Sequence, residues 1–201
     1  DGKNCFTLVY PEGREEVVIQ QLGRHNVLNA LVAMAVAKHF GLEPAVSKKG
    51  LAEYAGVAMR QQINHLERGI KVIDDTYNAS PDSQKAGLNS LCKIAKGRKI
   101  AVLGDMLELG SYSETAHRNV GEYAAECKID MLFTYGEQSK FMAESARKSG
   151  LVNVYSFTDK NELVKSLLSE IQKGDTLLFK ASRGMKLEEV FEKIYEQWDV
   201  K

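Results

Sequence analysis

The sequence predicts an α/β fold with a mostly parallel sheet, preceded by a shorter segment built from a hairpin and helices. Three observations predict it. From about Gly69 onward, five strand-like runs alternate with five helical ones, the pattern of βαβ units. That part is roughly 130 residues long, an ordinary size for one domain. The first 68 residues supply only a hairpin and two helices, too little for a complete domain. The expected division is therefore 1–68 and 69–201.

In chain order, Cys5 to Tyr10 is a β-rich run, and Pro11-Glu12-Gly13 reads as a turn. Glu16 to Leu22 alternates imperfectly and completes a hairpin. Asn26 to Phe40 is rich in alanine and apolar nearly all round, which predicts a helix buried on several sides, stopped at Gly41. Ser47 is a candidate cap for a short helix ending near Gly56. Strands are then expected at Ile70–Asp74, Lys99–Leu103, Met131–Tyr135, Val154–Phe157 and Thr176–Lys180. Helices are expected at Pro81–Ala95, Ser113–Cys127, Gln138–Lys148, Asn161–Gln172 and Leu187–Trp198. Ser80 followed by Pro81 is a strong start signal for the first of these.

Composition excludes several classes. Lys+Arg and Asp+Glu number 27 each, so the chain lacks the basic surplus of a nucleic-acid binder. No run approaches the roughly 18 apolar residues of a membrane helix, and Asp1-Gly2-Lys3-Asn4 does not open a secretion signal. The three cysteines are widely spaced and form no C-x-x-C, which argues against a zinc site and fits a reducing cytoplasm. The expected molecule is a cytoplasmic monomer with no nucleic-acid or membrane partner and no metal ligands of its own.

In open parallel sheets, ligands bind beyond the carboxyl ends of the strands. Three polar runs fall there. Asp74-Asp75-Thr76-Tyr77-Asn78-Ala79-Ser80-Pro81 places two carboxylates where a ribose, a cation or a proton can be held, or where one merely caps a turn. Gly104-Asp105-Met106-Leu107-Glu108-Leu109-Gly110 brackets two carboxylates between glycines, without being a dinucleotide fingerprint. Lys180-Ala181-Ser182-Arg183-Gly184 leads into a helix, and Arg183 can grip a carboxylate with two hydrogen bonds. A fourth run, Gly23-Arg24-His25-Asn26-Val27-Leu28-Asn29, puts two amides three residues apart at a helix start, suited to an adenine edge. The G-x-x-x-x-G-K-[ST] phosphate loop is absent from these 201 residues.

Taken in this order, the runs resemble the Mur ligases, ATP-dependent amide-forming enzymes of peptidoglycan precursor synthesis. Gly23-x-His25-Asn26-x-x-Asn29-Ala30 is similar to their central-domain signature. Asp74-Asp75-x-Tyr77-Asn78-Ala79-Ser80-Pro81-x-Ser83 and Gly104-Asp105-Met106-x-Glu108-Leu109-Gly110 resemble the branch that takes D-Ala-D-Ala as incoming amine. His117, Val120-Gly121, Gly136-Glu137 and Lys180-x-Ser182-Arg183 continue the likeness over nearly the whole chain. The resemblance implies the end of a central ATP-binding domain followed by a Rossmann-like C-terminal domain. It implies ATP and Mg2+ as cofactors of the whole enzyme, and UDP-N-acetylmuramoyl-tripeptide and D-Ala-D-Ala as substrates. The tripeptide carboxylate is phosphorylated by ATP and the dipeptide amine displaces the phosphate. By the same resemblance, Asn26 and Asn29 match positions near the adenine, Arg60 the arginine that reaches the phosphates, and Asp75 the aspartate at the ribose. Tyr77, Asn78, Ser182 and Arg183 are candidates for the dipeptide face. No catalytic residue is assigned, and without the phosphate loop the chain alone is expected to be inactive.

Other readings are weighed beside it. The diamino-acid-adding ligase carries an Asp-Asn-Pro-Arg string that this chain lacks. A phospho-receiver module shares the paired aspartates and the lysine of the last strand, but its acceptor aspartate should end the third strand, and Met131–Tyr135 ends without one. A non-catalytic ligand-binding module would bind D-Ala-D-Ala on its own.

Overall fold

The computed structural model of the chain describes residues 3–21 and 23–198. It separates into two compact units, residues 1–57 and 58–201.

In the first unit, β1 (Asn4–Tyr10) and β2 (Gly13–Ile19) form an antiparallel hairpin, followed by α1 (Arg24–His39) and α2 (Pro44–Glu53). The second strand begins three residues earlier than the sequence suggests and ends at Ile19; Leu22 lies outside the described residues. Val17 and Ile19 pack with Ala30 and Met34 to make the small core. Burial of α1 is one-sided. Ala30 and Met34 are covered, whereas Leu28, Val32 and Val36, spaced one turn apart, are each more than half exposed. The all-round apolar pattern therefore exceeds what a hairpin and one short helix can cover. The second helix does not start at Ser47. Pro44 occupies its first turn, where the missing N–H costs nothing, and Ser47 lies inside.

In the second unit the sheet order is β3-β4-β8-β5-β6-β7. Its strands are β3 (Gln62–His65), β4 (Lys71–Asp74), β5 (Lys99–Gly104), β6 (Met131–Tyr135), β7 (Val154–Phe157) and β8 (Thr176–Lys180). The five expected strands pair in parallel, and β3 adds an antiparallel edge. Because Gln62–His65 pairs with β4, the compact unit starts at Ala58, ahead of the expected boundary at 68/69. This edge strand escapes a sequence reading because its residues are mostly polar and only half covered.

Successive residues of each strand point to opposite faces. Val72, Ile100, Val102, Phe133, Leu177 and Phe179 meet α6 (Lys160–Glu170) and α7 (Glu188–Trp198). Ile73, Ala101, Leu103, Leu132 and Leu178 meet α3 (Pro81–Ile94), α4 (Ser113–Glu126) and α5 (Ser139–Lys148). Helices cover both faces, as a parallel sheet requires. The chain runs outward from β5 to β6 and β7, then α6 carries it back so that β8 inserts between β4 and β5. Connections leave β5 and β8 toward opposite faces, so a crevice opens at their carboxyl ends. The amino edge is closed by a clamp. Arg98 donates to Asp175 at 2.9 and 2.7 Å and to the Glu170 carbonyl at 2.6 Å. The hydrogen bonds to Asp175 hold the guanidinium above its usual range.

Candidate functional site

The three polar runs that follow β4, β5 and β8 meet at this crevice. The first is shaped by local chemistry. Asp74 turns its carboxylate back to accept the Thr76 N–H at 3.2 Å and hydroxyl at 2.7 Å, an Asx turn that ends the strand. Ser80 and Ser83 then cap α3 reciprocally, the Ser80 N–H donating at 2.8 Å and the Ser83 N–H at 3.3 Å. Between turn and cap, Tyr77 and Asn78 are held at the surface.

Lys180 closes the run from beneath. Its ammonium is 2.8 Å from the Asp75 carboxylate and donates to the Asn78 carbonyl at 2.9 Å. Lys180 is 2% exposed and Asp75 7%, so the pair is charge-matched out of water. The sequence gives Lys180, like Arg183, the role of adding charge for a bound anion; the fold instead pairs its ammonium with Asp75. The usable signal was a lysine directly ending the apolar run Leu177-Leu178-Phe179.

Ser182 ties all three loops. Its N–H donates to the Asp105 carbonyl at 3.0 Å, its hydroxyl accepts the Leu107 N–H at 2.9 Å, and that hydroxyl reaches the Ala79 carbonyl at 3.4 Å. Ser182→Ala should therefore cost about 1–3 kcal/mol by leaving the Leu107 N–H without its acceptor. Chemical denaturation measures this, and an unchanged midpoint would mean that the loops hold without the hydroxyl.

The run after β5 is equally engaged. Asp105 accepts the Gln138 and Ser139 N–H groups at 3.1 and 2.6 Å, supplying from another strand the cap that α5 lacks in its own sequence. Gly136, with φ at +122°, makes room: a Cβ there would collide with the Asp105 carboxylate. His117 is fully buried, donates from Nδ1 to the Ser113 carbonyl at 2.7 Å and accepts the Met106 N–H at Nε2 at 3.0 Å. With Nε2 accepting, the ring is the neutral Nδ1–H tautomer, so its 4.0 Å approach to Asp105 is a contact and not an ion pair.

Besides Asn78, the exposed predicted groups of this site are cationic and aromatic. Arg60 stacks its guanidinium 4.2 Å from the centre of the Tyr77 ring. It is flanked by Met59 and Gln61, two non-glycine residues with positive φ, and the Met59 carbonyl accepts the Tyr77 N–H at 3.0 Å. Arg183 donates to Glu188 at 2.8 Å and lies 3.0 Å from the Met59 sulfur. Five of the predicted site residues, Arg60, Asp75, Tyr77, Asn78 and Arg183, thus share one set of loops with Ser182. Asn26 and Asn29 belong to the first unit, at the start of α1, where their side chains are hydrogen-bonded at 3.4 Å. Among the described residues no three His, Cys, Asp or Glu side chains converge as a metal site. No helix there is long and apolar enough to cross a membrane.

Residues 59–183 match the family model described as "Mur ligase, glutamate ligase domain". The chain belongs to the Mur ligase family. Among relatives, it is 42% identical over 177 residues to the UDP-N-acetylmuramoyl-tripeptide--D-alanyl-D-alanine ligase of Bacillus subtilis, covering 87% of this chain and 39% of that one. The Escherichia coli protein of the same name is 36% identical over 194 residues, covering 95% and 41%. Among solved structures, MurF from Acinetobacter baumannii superposes with a TM-score of 0.87 at 31% identity, over 97% of this chain and 42% of that one. MurF from Thermotoga maritima in complex with ADP gives 0.79 at 25% identity, over 98% and 47%. The chain thus spans less than half the length of these Mur ligases. Its mostly parallel α/β sheet is the Rossmann-like fold that the family resemblance implied.

Proposed function

We propose that this chain is the C-terminal portion of an ATP-dependent ligase that adds D-Ala-D-Ala to UDP-N-acetylmuramoyl-tripeptide in peptidoglycan precursor synthesis. One observation carries the reading. The Asp74–Ser83 and Gly104–Gly110 loops, together with Arg183, converge at one end of the sheet, and the relatives that share this fold are named for that reaction. We assign residues 1–57 to the end of the central ATP-binding domain and 58–201 to the C-terminal domain, working in the cytoplasm as a monomer.

Bound ATP, with Mg2+, supplies the phosphoryl group that activates the tripeptide carboxylate. The chain's own residues bind and orient. Arg60 is an exposed guanidinium suited to phosphate oxygens, steadied by Tyr77 beneath it. Asp75, whose carboxylate is paired with Lys180, is assigned to the nucleotide ribose by the family resemblance. Asn26 and Asn29 offer amide donors and acceptors to an adenine edge. Tyr77, Asn78 and Arg183 form the dipeptide face, with Ser182 fixing the loops that carry it. Arg183 pairs with the dipeptide's terminal carboxylate, and Glu188 sets its orientation. Such a face contributes by placing the amine, which converts a bimolecular encounter into an oriented one.

The test is a KM split in the full-length ligase. Arg183→Ala is expected to raise KM for D-Ala-D-Ala roughly tenfold to a hundredfold, the worth of a charge-assisted hydrogen bond, while KM for ATP stays within about a factor of two. Arg60→Ala should show the opposite split. If Arg183→Ala moves only the ATP value, the dipeptide face is misassigned. The 201-residue chain by itself should hydrolyse no ATP, and measurable turnover would contradict the proposed role as one portion of the enzyme.

A further inference from the structure

We propose that Cys92 and Cys127 are a dithiol site that closes to an intramolecular disulfide, joining the carboxyl ends of α3 and α4. Cys92 lies in the last turn of α3, and Cys127 directly follows α4. Although 35 residues apart, they meet: the Cys92 thiol donates to the Cys127 carbonyl at 3.4 Å, which brings one sulfur against the backbone of the other cysteine. Both are free and half-buried, packed at the rim of the core formed by α3, α4 and α5. Both helices run back from the carboxyl edge of the sheet, so the pair sits at the opposite edge from the loops described above.

The chemistry is thiol–disulfide exchange with a low-molecular-weight disulfide as oxidant. One cysteine, as thiolate, attacks a sulfur of the oxidant. An S–S bond forms to the protein, and the other half of the oxidant leaves as a thiol after taking up a proton. The second cysteine, deprotonated in turn, attacks the protein-side sulfur of this mixed disulfide and releases the remaining half as a second thiol. Two S–H bonds of the protein are replaced by one S–S bond, and the oxidant gains two electrons and two protons. Burial pushes the Cys127 thiol up to about 11, with the neighbouring Cys92 adding to the effect. Closure is therefore slow near neutral pH, which limits its rate and not its equilibrium.

The experiment uses the chain with Cys5→Ser, because Cys5 is exposed and would link molecules to each other. The protein is held with oxidised glutathione at pH 8.5 for a day, its free thiols are alkylated, and peptides are mapped without reduction. The expected result is a Cys92–Cys127 linked peptide in monomeric protein, reversed by dithiothreitol and absent from Cys92→Ser. The linked form should also melt higher, by about 5 °C, since the bond closes a loop in the unfolded chain. Recovery of both cysteines as alkylated or separately glutathionylated residues would overturn the proposal. So would a linked product that melts below the reduced protein, because the helices would then have been distorted to join.

Discussion

Lys180→Met should lower the unfolding free energy by about 3–5 kcal/mol, the usual cost of removing one partner from a buried ion pair. The methionine fills the same space, so the loss is electrostatic. Asp75, 7% exposed, keeps its carboxylate but loses the ammonium 2.8 Å away, and the Asn78 carbonyl loses its donor. The double variant Asp75→Asn with Lys180→Met separates this from lost packing. Removing both charges together should restore most of the stability, since buried pairs often come near break-even against neutral replacements. Urea unfolding followed by circular dichroism reads both. A loss below about 1 kcal/mol for Lys180→Met would mean that water reaches Asp75 and the pair behaves as a surface one.

The second large effect is expected at Gly121. It lies on the face of α4 that meets α5, and a Cβ there would press on the Met142 carbonyl, 2.9 Å from its carbon and 3.1 Å from the Ala146 nitrogen. These are backbone atoms of a helix, so no side-chain rotation relieves the clash. Gly121→Val should cost about 3 kcal/mol or more, as overpacking that forces two helices apart. Gly121→Ala should cost less but stay destabilising, despite alanine's better helix propensity of roughly 1 kcal/mol. Thermal melts of the two variants rank them. If Gly121→Ala stabilises the protein, propensity outweighs the close approach and the helices have slack.

Gly121 shows where local reading stops. In the sequence it is a glycine inside a helix, part of the family likeness, and local chemistry gives it only a propensity penalty. Its reason for being there is a neighbouring helix that the linear pattern does not identify. Asp105 is similar. The sequence places it beyond a strand, but its use as the cap of α5 depends on β5 and β6 lying side by side. Ser182 was read as a group facing a ligand, and the fold engages its hydroxyl with two other loops.

By itself the sequence determined the alternation of strands and helices, the start of α3 at Ser80-Pro81, and the placing of three polar runs at strand ends. Each is written in short-range chemistry: side-chain periodicity, a proline with its fixed φ, a serine beside free N–H groups. The family resemblance also lay in those runs. Tertiary structure alone decided that β8 returns between β4 and β5, that a polar edge strand pairs with β4, and that Lys180 therefore meets Asp75. Strand order leaves no local trace, because every buried strand carries the same apolar pattern, and which neighbour it takes depends on how crossovers pack across the sheet.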